Sequence, residues 1–429
     1  MIIIIILAWL LFLILAWENT FLAARLTLLL LPTYLIRLAI FQFPINFLSG
    51  LIWILFIVWL IKSITQKQIT FSIFHRLNNA QTIWPKPLKL PVILFLLAAI
   101  ISLFIAPSLL GSIGIFKAYI IESLLLISVL ISLIKTKADW LKLLTPLGWL
   151  IIIMGILGIA QRLTGWFVPV NYLPPNDFRT TLFFGYPNAG PLFIAPLLPI
   201  FLGLFWHNLK EQSFNKQFFF YLATIALGII AIILAKSDGA IIGLLVGLII
   251  FFLLAGKKTA IITGIIIVLG VVSFFFIIPA NFQSLITNNL LFKNWSGQVR
   301  LYQWQETLGM LKDHPVLGVG LDNYQTAFTP YQKTTGIEIF KYPHNIFLNF
   351  WSELGLLGLI SVLWLIISFF KTTLLSIFNN PNRLIYLGLL AGFITLLIHG
   401  LVDVPFFKND LAVLWWLIII SPFILNRKS

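Results

Sequence analysis

The chain has 429 residues, of which 60% are hydrophobic and only 10% charged, and its formal net charge is +15. At a mean hydropathy of +1.04 no interior of this size hides so many apolar side chains, so composition excludes a soluble enzyme and points to a polytopic membrane protein. The absence of cysteine excludes disulfides and thiolate metal sites, and the scattered histidines (His75, His207, His314, His344 and His399) show no metal-ligand spacing.

Residues 1–17, "MIIIIILAWLLFLILAW", lack a basic leader and a cleavage site and are expected to stay as a membrane segment. Run 20–40 is interrupted by Arg25, Pro32 and Arg37, which leaves its crossing open. Further apolar runs follow at 47–62, 91–108, 112–134, 141–160, 183–206, 218–235, 239–256, 259–279, 345–370, 384–402 and 411–425. The expected fold is all-α, with 11–13 transmembrane helices and one long external loop carrying short amphipathic helices. Lysine and arginine gather in alternate connections: 62–90, 135–142, 210–216, 257–258, 371–383 and 427–428. The positive-inside rule makes that side cytoplasmic, so the basic excess records topology and not nucleic-acid binding. The chain then divides into N-terminal helices with a cytoplasmic loop (1–111), central helices (112–279), an external loop (280–344) and C-terminal helices (345–429).

The outer side receives connections 161–182, 236–238, 280–344 and 403–410. In the longest, Leu301, Trp304, Leu308 and Leu311 recur at helical spacing before Pro315, predicting an amphipathic helix along the interface. Arg179 and Arg300 lie where topology does not favour cations. Guanidinium groups suit phosphate oxygens, so an external anion is one reading, and pairing with headgroups or with Asp177 and Glu306 is the other. Lys117 and Glu122 share one apolar run and read as a structural ion pair, while Lys236 and Asp238 flank a short outer turn. His344 follows Pro343 at the mouth of a helix that Asn345 is placed to cap, and a neutral imidazole there can accept a proton. Glu353 lies deeper in the same helix, where packing hydrogen bonds and a catalytic role are both open.

The run "RLYQWQETLGMLKDHPVLGVGLDNY", followed by "HNIFLNFWSELGLLG", resembles the signature region of the O-antigen ligase and polymerase superfamily, and "RTTLFFGYPNAGPLFIAPLLP" is similar to its upstream Arg…Pro-Asn segment. The resemblance spans roughly 112–425. It implies a metal-independent, cofactor-free glycosyltransferase of the plasma membrane that works at the external face. Such a protein moves a glycan from undecaprenyl diphosphate to a glycan, lipid or protein acceptor. Arg179 and Arg300 would then bind the donor diphosphate, His344 would be the acceptor-activating base or its orienting partner, and Glu353 would share the catalytic site. Asn345, Lys117, Glu122 and Asp238 would support it. Where many members read Ser-Arg-Gly, this chain reads Ser237-Asp238-Gly239, which leaves acceptor identity and the details of anion binding open. Ligase and polymerase both remain open. A transporter or flippase is the more distant alternative, because no internal repeat is visible and the polar residues concentrate on one side.

The charge pattern makes a direct prediction, and the cysteine-free background makes it easy to test. Single cysteines at Asn176 and Gln332 should react with an impermeant thiol reagent in intact cells, and one at Lys137 should not. External labelling of position 137 would invert the scheme.

Overall fold

The computed structural model describes residues 2–40, 43–65, 83–276, 291–334 and 336–427, together with 279, 283–284 and 287–289. Most of loop 62–90, with Lys67, His75 and Arg76, and Lys428 lie outside the described residues. Among the described residues, nine helices are long and apolar enough to cross a membrane, and three shorter apolar helices accompany them.

The chain begins with α1 (Ile2–Glu18) and α2 (Thr20–Leu29). Run 20–40 does not continue as one helix. Pro32 falls in a 3-10 turn (Leu31–Leu35), and an antiparallel hairpin follows, β1 (Arg37–Ile40) on β2 (Phe43–Asn46), pairing Arg37 with Asn46. Proline removes a backbone donor and closes the preceding helix. Next come α3 (Phe47–Thr65), α4 (Lys86–Ile105), and α5 (Leu109–Ile115), which runs through a π-turn (Phe116–Ile121) into α6 (Glu122–Leu133). Helix α7 (Lys137–Thr164) starts at a capping box of Thr136 and Asp139. Run 183–206 splits into α8 (Ala189–Ile194) and α9 (Leu198–Lys210). Then follow α10 (Lys216–Ala235), α11 (Asp238–Ala255), α12 (Lys257–Phe276), α13 (Trp295–Asp313), α14 (Tyr324–Phe328), α15 (Ile346–Asn379), α16 (Arg383–Gly400) and α17 (Asn409–Leu425).

The centre of the bundle is α16 and α17, and every residue from Asn409 to Ile424 is buried. Helix α11 reaches α16 through a row of small residues. A Cβ on Gly243 would stand 2.7 Å from the Thr395 carbonyl, and one on Gly247 2.7 Å from the Ala391 carbonyl. Small residues at this spacing let helix backbones touch where no hydrophobic effect separates protein from lipid. Helix α12 is the opposite case. It packs on α11, and none of the side chains of its apolar window is buried.

Polar groups separate to two ends. At one, Lys137 Nζ donates to Asn382 Oδ1 (2.5 Å), Arg383 to the Leu254 carbonyl (2.8 Å), and Arg427 to the carbonyls of Ile83 (3.0 Å) and Ile131 (3.2 Å). These bonds tie together the connections that carry the excess of basic residues. Lys62 reaches the Trp17 carbonyl and Thr20 at the end of α3, while Trp9 donates to the Phe47 carbonyl at its start (3.2 Å). Helices α1 and α3 therefore run in the same direction, and α2 with the hairpin returns the chain between them.

In the π-turn the Glu122 N–H bonds to the Lys117 carbonyl, five residues back. That wider turn stacks the two side chains, and Lys117 Nζ lies 3.0 Å from Glu122 Oε1. Ser49 (2.9 Å) and Trp53 (3.1 Å) donate to the same carboxylate, so the buried charge is fully solvated by protein.

A second break shapes the opposite end. Helix α15 is interrupted at Gly355, whose φ is +69°. A continuous helix would bond the Leu356 N–H to the Ser352 carbonyl. Instead Leu356 N donates to the Val316 carbonyl (2.8 Å), and the Ser352 carbonyl accepts from Val319 N (2.6 Å). Ser102 Oγ bridges the Glu353 carbonyl (2.5 Å) and Leu321 N (2.8 Å), and Trp351 Nε1 holds the Pro315 carbonyl (2.8 Å). The turn "PVLGVGL" thus replaces the helical bonds lost at Gly355. An alanine at 355 would adopt a left-handed conformation costing about 1–2 kcal/mol, and its Cβ would meet the Val316 carbonyl at 2.6 Å. Gly355→Ala should lower the thermal midpoint in detergent clearly, whereas Gly264→Ala, with open space around it, should leave it unchanged or raise it. Equal midpoints would show that the docked turn contributes nothing to stability.

Candidate functional site

The other end holds a cavity of about 510 Å³, whose lining includes Arg179, Asn188, Lys236, Asp238, Arg300 and Asn345. Its lining comes from residues 179 and 188, 236–242, 289, 292–304, 345 and 398–402, segments distant in sequence that the fold brings to one place.

Both arginines are fixed by backbone carbonyls, and that of Ala235, which holds Arg179, ends a helix and carries partial negative charge. Arg179 Nε donates to the Ala235 carbonyl (3.0 Å), and its Nη2 to the Lys236 carbonyl (3.0 Å) and Asn188 Oδ1 (2.9 Å). Arg300, on α13, donates from Nε to the Val402 carbonyl beyond α16 (2.9 Å), and from Nη1 to the Ser296 carbonyl (3.1 Å) and hydroxyl (2.5 Å). Each guanidinium commits one edge to protein. Nη1 of Arg179 and Nη2 of Arg300 make no hydrogen bond among the described residues, which leaves one cationic amino group on each for a ligand. Burial draws the Arg300 guanidinium down from its ordinary value and Arg179 adds to this, while Asp403 and Asp238 oppose it. At that starting value it stays cationic.

His344 adopts φ +48°, unusual for a residue with a Cβ. The loop before it is held from above by α13: Gln303 donates to the Tyr342 carbonyl (2.8 Å) and Trp304 to the Pro343 carbonyl (2.9 Å). Asn345 Oδ1 caps α15 by accepting from Phe347 N (3.0 Å) and Leu348 N (3.1 Å), and its Nδ2 donates to the Leu401 carbonyl (3.1 Å). These bonds bring the imidazole beside Asp403, with Nδ1 to Oδ1 at 3.7 Å, an ion-pair rather than a hydrogen-bond separation. Burial pushes the Asp403 carboxyl up, but the imidazole of His344, then His399 and the Val404 N–H, outweigh it and hold the group well below the usual carboxylate range. Asp403 is therefore ionised throughout the neutral range. Phe340 closes the outer edge of the His344 ring at 4.9 Å between centroids.

Sequence reasoning passed over Asp403 and His399. The signal is the run "HGLVDVPFF", an acid just beyond a helix that ends in His-Gly. His399 is 2% exposed and packs against the Gly239 backbone, where a Cβ would meet its Cδ2 at 2.7 Å. Other expected site residues fall elsewhere. Glu353 does not line the cavity. Its side chain is buried on the far side of the 340–344 loop, and its Oε2 has no hydrogen-bond partner among the described residues. Its neighbours are Tyr342 and the Asp322–Lys341 ion pair (3.3 Å). Burial first, then Tyr119 and Glu353 beside it, push the Tyr342 phenol well above its ordinary value. The Lys117–Glu122 pair also lies outside the cavity lining, against Ser49 and Trp53 of α3. Asp238 does line it, at the first position of α11.

Chemically, the cavity offers two anchored cations for a polyanion; His344 and Asp403 are not among its lining residues, but each adjoins one in the chain, Asn345 and Val402. Residues 223–363 match the family model described as O-antigen ligase. That stretch contains Arg300, His344 and Asn345, while Arg179 and Asp403 are brought to them from outside it. No curated protein matches the chain. The chain is thus a multi-pass membrane protein in which residues 223–363 are similar to the O-antigen ligase family.

Proposed function

We propose that the protein is a glycosyltransferase that passes a glycan from undecaprenyl diphosphate to an acceptor hydroxyl at the outer face of the plasma membrane. The observation that carries this reading is the convergence of Arg179 and Arg300 on one cavity, whose lining residues Asn345 and Val402 are the chain neighbours of the His344–Asp403 pair. The free amino groups of the two arginines meet the diphosphate. The uncapped N-terminus of α11, where Ser237 makes no capping bond, adds a helix dipole of the same sign.

In the transfer step the acceptor oxygen forms a bond to the anomeric carbon, and its proton passes to His344. The bond from that carbon to the diphosphate oxygen breaks, and its electron pair leaves on the lipid diphosphate. Arg179 and Arg300 stabilise the charge as it develops. Asp403 stays ionised and faces the imidazolium, as the acid of a catalytic triad does. A direct displacement of this kind inverts the anomeric configuration. Whether the acceptor is a finished lipid anchor or a growing chain is read from product length: a ligase transfers the whole glycan once, and a polymerase extends it by repeat units. Among the described residues the cavity lies at one end of the bundle, while Lys117 and Glu122, inside a candidate span, are paired with each other and with Ser49 and Trp53.

Transfer from a synthetic undecaprenyl-diphosphate glycan to acceptors in detergent or vesicles is the test. A general base contributes about 10²–10⁴ in rate. His344→Ala and His344→Gln should therefore both lose transfer to that extent, since glutamine can orient an acceptor but not take its proton. Near-normal turnover in the glutamine variant would remove His344 as the base. Asp403→Asn keeps the shape and loses the charge. A charge-assisted contact is worth about 1.5–3 kcal/mol, so kcat should fall roughly 10- to 150-fold.

The arginines supply a separate check. Lysine in place of Arg179 or Arg300 keeps one charge but cannot both hold the helix-end carbonyls and present a free amino group. Each variant should lose most transfer at matched expression. Full activity in both would mean that loose electrostatic attraction is enough.

A further inference from the structure

We propose that Asp238 reads the first sugar of the donor, accepting hydrogen bonds from its hydroxyl or amide groups and rejecting sugars that carry a negative charge. This rests on the donor reading above.

A cavity built to bind a diphosphate has no electrostatic use for an acid, because like charges oppose the ligand. Asp238 nevertheless lines the cavity as an exposed side chain, within electrostatic reach of Arg300. Its carboxylate makes no ion pair and no side-chain hydrogen bond among the described residues. The neighbouring Lys236 is taken by Asp177, and Arg179 by carbonyls and Asn188. The other cavity-end acid, Asp403, is matched to His344. Asp238 alone among these groups faces the cavity unpaired.

An acid in the first turn of a helix also interacts favourably with the helix dipole, which is the purely structural account of this residue. That account does not explain its place in the lining of a cavity that also holds two arginines. Arg300 is within electrostatic reach of both Asp403 and Asp238. A diphosphate held there places the first sugar within the same cavity. A site that hydrogen-bonds a substrate hydroxyl or N–H discriminates strongly against ligands lacking it, and an unpaired acid discriminates against an anionic ring as well.

The two accounts separate with undecaprenyl diphosphate bearing no sugar as the probe. If Asp238 reads the sugar, Asp238→Ala and Asp238→Asn should inhibit more readily with this sugar-free lipid, by about threefold or more, because an opposing charge is gone. The alanine variant should at the same time lose about tenfold or more in kcat/KM for the glycan donor. A donor whose first sugar is a uronic acid should be a poor substrate for the native protein and improve in the asparagine variant. Parallel weakening of sugar-free lipid and glycan donor would assign Asp238 to helix stability and overturn the proposal, as would no change in either. Failure of sugar-free undecaprenyl diphosphate to inhibit the native protein at all would instead overturn the diphosphate reading itself.

Discussion

The exchange of backbone hydrogen bonds at Gly355 is the constraint on which the site depends. A membrane helix cannot leave carbonyl and N–H groups unpaired, since no water is at hand to solvate them. The break in α15 creates such groups, and the turn before α14 satisfies them through Val316 and Val319. Ser102 of α4 completes the join from a third element. The loop that precedes α15 is therefore fastened to the bundle at a point inside α15, not merely tethered at its end. Helix α13 inherits that fixed position, and through Gln303 and Trp304 it holds the two carbonyls that precede His344.

Electrostatic balance follows from the same economy. Arg179 occupies the C-terminal end of α10, and Arg300 the connection just beyond α16, where backbone carbonyls welcome a cation whether or not a ligand is present. Their orientation is thus set before any substrate arrives, so little ordering is left for the moment of reaction. The imidazole of His344 is placed with equal independence of substrate, by Asn345 below and Asp403 beside it. Glu353 serves this arrangement from the other side of the loop, among Tyr342, Asp322 and Lys341.

Much of this was legible in the sequence because lipid punishes misplaced polarity so heavily. Alternating basic connections separated the two ends of the bundle, and the structure gathers Lys137, Arg383 and Arg427 at one and the cavity at the other. Motif spacing drew attention to Arg179, Arg300 and His344 for the same reason, since each is polar where polarity needs a purpose. Asp403 escaped notice because its partner lies far away in sequence and its own surroundings, Val402 to Phe407, are almost wholly apolar. The interruption of run 20–40 was signalled by Pro32, but the break in run 183–206 was not read, because hydropathy does not distinguish a straight helix from one interrupted at a turn. The face of α13 was only partly read, since Leu311 is buried while Leu301 and Leu308 remain exposed, and Gln303 and Thr307 take their place inside.

Helix α12 carries a consequence of its own. Its apolar window has no buried side chain, and it leans on α11. Lipid chains, and not protein, are then its principal solvent, so its sequence is held to length and apolarity and freed from shape. Its 20 residues span about 30 Å, close to the thickness of a bilayer's hydrocarbon layer. In a thicker or thinner membrane the cheapest adjustment is a change in its tilt, because the rest of the bundle is interlocked. The chain that leaves α12 goes on to supply Asn289 and Phe292 to the cavity wall.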